Sequence, residues 1–141
     1  MRNTVVKGGM IHVMAAIIWH PDQTDILLIA RRQRGKHLQC YWELPGGKKT
    51  IGESEEQALQ RELLEEIDIQ AVSMAPFMQV THAYCDRSIL LDVWQISDFK
   101  GKVVGKEGQT IRWVATDELN CYRFPDANKP ILHAIKNNAK A

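Results

Sequence analysis

A chain of 141 residues, 45% hydrophobic and 25% charged, has the size and composition of one ordinary globular domain spanning residues 1–141. Its formal net charge of +1 excludes both a strong basic field for a nucleic-acid polymer and an acidic, solvating tail. We therefore expect a monomer with a small-molecule partner, no nucleic-acid polymer and no membrane attachment.

Cysteine usage and the apolar start favour the cytoplasm. Cys40, Cys85 and Cys121 are odd in number and lack the paired spacing of metal or redox sites, so they are interpreted as free thiols in a reducing compartment. The apolar stretch 10–19 is interrupted by His12 and is followed by no clear signal-cleavage site. That stretch is also far shorter than a membrane span.

The first half of the chain predicts two strands and a long loop. Residues 11–19 are largely β-branched or small and apolar, HPDQTD at 20–25 supplies a turn, and ILLIARR at 26–32 is a second apolar run. This pattern predicts a β-hairpin. Residues 32–53 lack sustained periodicity and contain four glycines and one proline, which predicts a functional loop.

The second half begins with the clearest helix. Ser54 and Gln57 form a capping-box pattern, Glu55 and Glu56 suit the positive end of a helix, and the helix should run to about Ile67. Strands are predicted over 73–84, 88–96 and 110–116, with turns at 85–87 and 99–109 and a final helix within 125–140. The predicted class is α+β, with a mixed sheet between helical layers.

The predicted helix carries three acidic residues on one face. Glu62, Glu65 and Glu66 are spaced by three and four residues, and a neighbouring face can bury Leu59, Leu63 and Ile67. Three close carboxylates repel and raise one another's pKa unless a cation compensates them. Mg²⁺ prefers such oxygen ligands together with substrate phosphates. The alternative is a solvated, glutamate-rich surface helix.

The residues before this helix favour phosphate chemistry over the surface-helix alternative. Pro45-Gly46-Gly47 lets the backbone approach a ligand closely, and Lys48 offers a point charge for phosphate. Glu53 and Arg61 form an opposite-charge pair that can brace the loop against the helix.

The segment GGKKTIGESEEQALQRELLEEIDI resembles a Nudix box. The matching positions are Gly47, Glu53, Arg61, Glu62, Leu63, Glu65, Glu66 and Ile69. The resemblance implies a Nudix-type α/β/α sandwich that hydrolyses a nucleoside diphosphate linked to another group. Asp68 stands where the family pattern has glycine; we expect positive φ there and a small stability cost.

Four further segments are similar to the MutT group of that family: IARR at 29–32, WELPGGK at 42–48, GKEGQ at 105–109 and FPDANKPI at 124–131. This resemblance implies hydrolysis of 8-oxo-dGTP to the monophosphate and pyrophosphate, with Mg²⁺ as the cofactor and Mn²⁺ as a substitute. Such an activity removes oxidised nucleotides before DNA replication can use them, and so prevents mutation.

The resemblance also implies roles for individual residues. Glu62 is the first choice for an essential metal ligand and base, Arg61 and Glu53 support the box, and Lys48 binds phosphate. The implied metal ligands are the Gly46 carbonyl, Glu62, Glu65, Glu66 and Glu107. The implied substrate-binding residues are Arg32, His37, Lys48, Tyr84, Arg87 and Asn128.

Each residue outside the box also has a plainer interpretation. Glu107 could be a surface charge on a loop, and Asn128 could cap the terminal helix. Arg32 could lie at the end of a surface strand, and His37 could be a polar group of a loop. Tyr84 could be a core aromatic residue, and Arg87 could be a turn residue. Tyr84 replaces the phenylalanine common in MutT-like proteins, and the next residue is a cysteine in place of a common proline.

Two alternative functions remain open. One is a Nudix pyrophosphohydrolase for another modified or pyrimidine nucleotide such as CTP, or for a nucleotide sugar. The other is a non-catalytic Nudix domain that senses a nucleotide. The second alternative predicts lost box carboxylates, whereas this sequence retains them all.

Overall fold

The computed structural model describes residues 5–6, 10–32 and 40–139. None of the helices in these ranges is long and apolar enough to cross a membrane. The strands are β1 Val5–Val6, β2 Met10–Ile18, β3 Ile26–Arg31, β4 Trp42–Glu43, β5 Gly46–Lys48, β6 Gln70–Ala83, β7 Ser88–Lys100 and β8 Ile111–Ala115. The helices are α1 Glu55–Ile67, α2 Lys129–Ala139 and two 3₁₀ helices, Thr116–Cys121 and Asp126–Asn128.

The strands form two sheets. The larger has the order β1-β2-β7-β6, with β5 also paired to β2, and the smaller has the order β4-β3-β8. The larger sheet is mixed, because β2 and β7 run parallel whereas its other pairs are antiparallel. The predicted α+β class with a mixed sheet and flanking helices is confirmed.

The predicted hairpin between the first two long strands is wrong. Both strands exist, but β2 pairs with β1, β5 and β7, whereas β3 pairs with β4 and β8. Among the described residues, the link between these two segments is the isolated bridge Trp19↔Leu27, which lies just after the end of β2. The main partner of β2 is β7, about 80 residues further along the chain, and local apolar patterning gives no indication of it.

Strand β2 separates two core layers because its side chains alternate between the two faces of the sheet. Met14, Ala16 and Ile18 belong to the layer beneath α1, which also contains Leu59, Leu63 and Ile67. The intervening residues Ala15 and Ile17 belong to the opposite layer, together with Ile131 and Ile135 of α2. A strand buried on both faces explains the continuous apolar run.

Helix α1 forms as its sequence predicts. The Ser54 hydroxyl accepts a hydrogen bond from the Gln57 N–H, and the Gln57 side chain accepts one from the Ser54 N–H, which completes the capping box. The helix ends at Asp68, whose φ of 64° and ψ of 35° are left-handed. The predicted buried face and the predicted positive φ are both confirmed.

The predicted loop 32–53 contains more order than expected, since β4 and β5 lie within it. Strand β5 pairs with β2, placing Gly46 opposite Ala15 and Gly47 opposite Met14. This pairing fixes the glycines beside the strand that α1 covers. Strand β7 also continues to Lys100, beyond the predicted end at residue 96.

Candidate active site

Two glycines of β5 allow close contacts, Gly46 with β2 and Gly47 with α1. A Cβ atom on Gly46, which has a φ of 152°, would collide with the Met14 carbonyl oxygen. A Cβ atom on Gly47 would lie 2.5 Å from the carboxyl carbon of Glu62. Any side chain at Gly47 would therefore displace the Glu62 carboxylate from its position against the backbone.

Arg61 joins the loop to the acidic face of α1. Its Nε and Nη2 donate to the two carboxylate oxygens of Glu53 at 2.6 and 3.0 Å, and Nη1 donates to Glu62 at 2.9 Å and to Glu65 at 3.4 Å. Nη2 also donates to the Lys48 carbonyl at 3.1 Å. Arg61 thus donates hydrogen bonds to three of the predicted site carboxylates.

The ion pair shifts the pKa of both partners. The hydrogen bonds from Arg61 lower the pKa of Glu53 to about 2, because they favour the charged carboxylate. The hydrogen bond to Glu53 is in turn the largest cause of the raised pKa of the Arg61 guanidinium, and the hydrogen bond to Glu62 adds to it. Both groups therefore stay charged over the ordinary pH range.

Glu66 lies in a different environment. Burial, reinforced by the charges of Glu62 and then Glu43, raises the pKa of its carboxyl group to about 9. Within the described chain, the carboxyl group takes one hydrogen bond, from the Gly46 N–H at 3.3 Å. A cation at this position would relieve the repulsion that raises this pKa.

The loop between β7 and β8 brings Glu107 to the end of α1. The Lys106 N–H donates to the Glu66 carbonyl at 2.9 Å, and the Gln109 side-chain amide donates to the same oxygen at 3.1 Å. The Gln109 side-chain oxygen also accepts from the Glu107 N–H at 2.9 Å. Glu107 is close enough to contribute to the raised pKa of Glu66.

The predicted metal ligands do not converge on one point. Glu62 and Glu65 contact Arg61, Glu66 contacts the Gly46 N–H instead, and Glu65 is exposed. In the described ranges, the one set of three metal-ligating side chains with ligand atoms within 4.8 Å of one another lies elsewhere, at His12, Glu55 and Asp92.

The predicted substrate-binding residues are distributed over several elements. Arg32 makes a 2.6 Å ion pair with Glu43, Tyr84 is half-buried against the edge of His82, and Arg87 is exposed. Lys48 is also exposed. His37 lies outside the described residues.

Asn128 is buried, with 8% of its surface exposed, at the end of the second 3₁₀ helix. Its backbone N–H donates to the Pro125 carbonyl at 3.0 Å. In the described part of the chain no hydrogen bond of the Asn128 side chain caps α2, and the 3₁₀ helix continues directly into α2. A buried amide of this kind is available for hydrogen bonds to a ligand or to water.

Two residues of the site were not predicted. Glu43 pairs with Arg32 and contributes to the raised pKa of Glu66, although a single acidic residue in a loop carries no distinctive pattern. Gln109 fastens the Glu107 loop to α1. In the sequence, Gly105 and Gly108 of this loop were the feature that could have indicated a specific loop conformation.

Comparison with known proteins agrees with this geometry. A NUDIX domain model matches residues 14–134. The 8-oxo-dGTP diphosphatase of Escherichia coli K12 is 36% identical over 115 residues, covering 82% of this chain and 89% of that protein. The CTP pyrophosphohydrolase of the same organism is 34% identical over 126 residues, covering 89% and 91%.

A solved structure from work on MutT of Aliivibrio salmonicida and Vibrio cholerae superposes with a TM-score of 0.80 at 36% identity, covering 92% of this chain and 98% of that chain. The chain therefore belongs to the NUDIX domain family and is a Nudix hydrolase.

Proposed function

We propose that this Nudix hydrolase cleaves 8-oxo-dGTP to the nucleoside monophosphate and pyrophosphate in a Mg²⁺-dependent reaction. The observation that carries the choice of base is the buried side-chain amide of Asn128, which makes no hydrogen bond to the residues that the structure describes. An amide can donate and accept at once, which suits the edge of 8-oxoguanine that has a carbonyl near N7–H, because guanine has no hydrogen on N7. The similarity to 8-oxo-dGTP diphosphatases supports the same choice.

The donor groups fit Mg²⁺. In this proposal Glu62, Glu66 and Glu107 supply carboxylate oxygens, and a bound cation would offset the burial and the neighbouring carboxylates that raise the pKa of Glu66. Glu65 and the Gly46 carbonyl are the remaining proposed ligands. When bound, Mg²⁺, or Mn²⁺ in its place, would polarise the phosphoanhydride and neutralise developing negative charge.

In the proposed hydrolysis, different side chains of the protein position the carboxylates, activate water and contact the phosphates. Arg61 holds Glu53, Glu62 and Glu65 in position, and the Gly46 N–H orients the Glu66 carboxyl group. Glu62 is our proposed base for the attacking water, which adds to phosphorus as the P–O–P bond breaks. Lys48, exposed beside the box, contacts the phosphates.

The proposal also covers the residues that bind the nucleotide and the compartment in which the enzyme acts. In this proposal Arg32, Tyr84 and Arg87 bind the nucleotide together with Asn128, and the ion pair with Glu43 orients Arg32. Three exposed free cysteines favour a reducing, cytoplasmic compartment. Removing 8-oxo-dGTP from the nucleotide pool would prevent its incorporation into DNA.

Turnover of the wild type and Glu65→Gln with and without Mg²⁺ tests the chemistry. We expect Mg²⁺-dependent pyrophosphate release from the wild type and a loss of orders of magnitude in Glu65→Gln. Glu56→Gln is the matched control, because Glu56 is exposed on the first turn of the same helix, and it should retain activity. Equal activity in all three proteins would refute the metal-site assignment.

Asn128→Ala tests the base assignment. The kcat/KM for 8-oxo-dGTP should fall far more than that for dGTP, because the variant loses hydrogen bonds specific to the oxidised base. Asn120→Ala, which removes an exposed asparagine, should leave the ratio of the two values unchanged. Equal losses on both substrates in Asn128→Ala would exclude the base-recognition role.

A second candidate is the hydrolysis of CTP or another pyrimidine nucleotide. It is favoured by the 34% identity to a CTP pyrophosphohydrolase over most of both chains. Pyrophosphate release from CTP, 8-oxo-dGTP, dGTP and a nucleotide sugar at low substrate concentration separates the candidates. A preference for CTP would support pyrophosphohydrolysis by this protein but would contradict the proposal that its substrate is an oxidised purine nucleotide. The absence of turnover on every substrate would favour a non-catalytic nucleotide-sensing domain.

A further inference from the structure

A second group of metal-ligating side chains lies outside the Nudix box. His12 of β2, Asp92 of β7 and Glu55 of α1 place one ligand atom each within 4.8 Å of one another. His12 Nε2 and Asp92 Oδ2 are 2.9 Å apart. The three residues come from three elements separated in sequence, so the tertiary fold creates the group.

Asp92 is buried and its carboxylate is oriented by a neighbouring side chain, and His12 is half-buried. Asp92 is 4% exposed, and its Oδ1 accepts a hydrogen bond from the Trp94 indole N–H at 3.1 Å. This bond orients the carboxylate so that Oδ2 lies toward His12, as an outer hydrogen bond orients a metal ligand. The His12 side chain is 14% exposed.

The third ligand is held by the start of the helix. Glu55 is the first residue of α1, immediately after the Ser54 of the capping box. Asp92 pairs with Met14 across β2 and β7, and Met14 belongs to the core layer beneath α1. The sheet face that carries Asp92 is therefore the one covered by the helix that begins with Glu55.

The charges and donor atoms of the group favour a particular class of cation. A buried carboxylate is costly without compensation, and two carboxylates outweigh the roughly half positive charge of a helix N-terminus. One imidazole nitrogen with two carboxylate oxygens suits Zn²⁺ and other first-row transition ions, whereas Mg²⁺ prefers oxygen alone.

We propose that His12, Glu55 and Asp92 bind a divalent first-row transition-metal ion, best fitted by Zn²⁺, that fastens the start of α1 to β2 and β7. Water would supply the fourth ligand of a tetrahedral site. Glu55 precedes Glu62 by seven residues, a rise of about 10 Å along the helix axis, which separates this site from the box carboxylates.

Co²⁺ titration of the full-length protein with the box saturated by Mg²⁺ tests the site. The wild type should bind one equivalent of Co²⁺ with a visible d–d absorption band, Zn²⁺ should displace it, and Zn²⁺ should raise the Tm. Glu55→Gln should weaken Co²⁺ binding by about tenfold or more while the protein remains folded, because Glu55 lies outside the core.

Three controls make the test specific. Glu56→Gln removes the same charge from the same helix turn and should retain wild-type Co²⁺ affinity. Glu65→Gln, which alters the box, should also retain it. The absence of a thiolate-to-cobalt band would show that the exposed cysteines are not the ligands.

Several outcomes would overturn the proposal. Equal Co²⁺ affinity in the wild type, Glu55→Gln and His12→Gln would do so, as would equal weakening in Glu55→Gln and Glu56→Gln. Loss of Co²⁺ binding in Glu65→Gln alone would assign the ion to the box. None of these results depends on the substrate that the enzyme hydrolyses.

Discussion

Arg61 determines how the acidic residues of the site are arranged. A guanidinium group presents several donors in a rigid plane, so one side chain can hold Glu53 from the loop and Glu62 and Glu65 from the helix together. A lysine at this position could not satisfy the same geometry. Arg61 therefore couples the loop to the helix through one side chain.

The ion pair predicts how stability depends on pH. Because Arg61 lowers the pKa of Glu53 to about 2 from the ordinary value of 4.5, folding favours the deprotonated carboxylate. Its stabilising contribution is complete above pH 4.5 and is lost as the pH falls toward 2. Urea unfolding of the wild type and Glu53→Gln across this range should show their free energies converging at acid pH. A constant difference between them would contradict this prediction.

Asp68→Gly should stabilise the protein. Asp68 adopts a φ of 64°, which costs a residue with a Cβ more than it costs glycine, and its 3.8 Å contact with Lys106 is exposed. We expect the urea midpoint to rise by an amount equivalent to about 0.5 kcal/mol with an unchanged m value. Asp68→Ala should lower the midpoint. The same midpoint in both variants would show that backbone strain at this residue is negligible.

At the level of elements, the site depends on how α1 is held at both ends. The capping box and the His12–Glu55–Asp92 group lie at its start, and the Glu107 loop is bonded to the Glu66 carbonyl near its end. Between these ends, two glycines of β5 bring backbone against the carboxylates. The positions of the carboxylates therefore depend on contacts made by neighbouring elements.

Gln109→Ala tests the attachment of the Glu107 loop. Losing two side-chain hydrogen bonds should cost about 1–2 kcal/mol of stability and release Glu107 from the end of α1. Mg²⁺ affinity, measured by calorimetry, should fall about 10- to 100-fold, as for other groups that orient metal ligands. Lys106→Ala is the control, because the Lys106 contact with Glu66 uses backbone atoms. Unchanged Mg²⁺ affinity in Gln109→Ala would mean that Glu107 is not a ligand.

At the level of the whole molecule, we expect the proposed metal site to make stability depend on Mg²⁺. Free Mg²⁺ at about 100 times its Kd should stabilise the folded protein by about 2.7 kcal/mol, and EDTA should remove that gain. Glu66→Gln should reduce the Tm increase caused by Mg²⁺, because it removes a buried carboxylate that a bound cation would stabilise. Differential scanning fluorimetry measures both effects; an equal increase in the two proteins would exclude Glu66 as a ligand.

Local sequence predicted the features that depend on neighbouring residues. The capping box, the buried leucines of α1, the left-handed Asp68 and the Glu53–Arg61 pair all follow from spacings of a few residues. The box was recognisable for the same reason. Strand positions were also largely predictable, since turns and apolar runs alternate along the chain.

Strand pairing and the chemistry of single side chains were decided only by the tertiary structure. β2 joins β7 in parallel rather than β3 in a hairpin, because a strand buried on both faces is stabilised by partners distant in sequence. The raised pKa of Glu66, the burial of the Asn128 amide and the contact of His12 with Asp92 depend on the packing of residues that are distant in sequence. No periodicity in the sequence encodes such contacts.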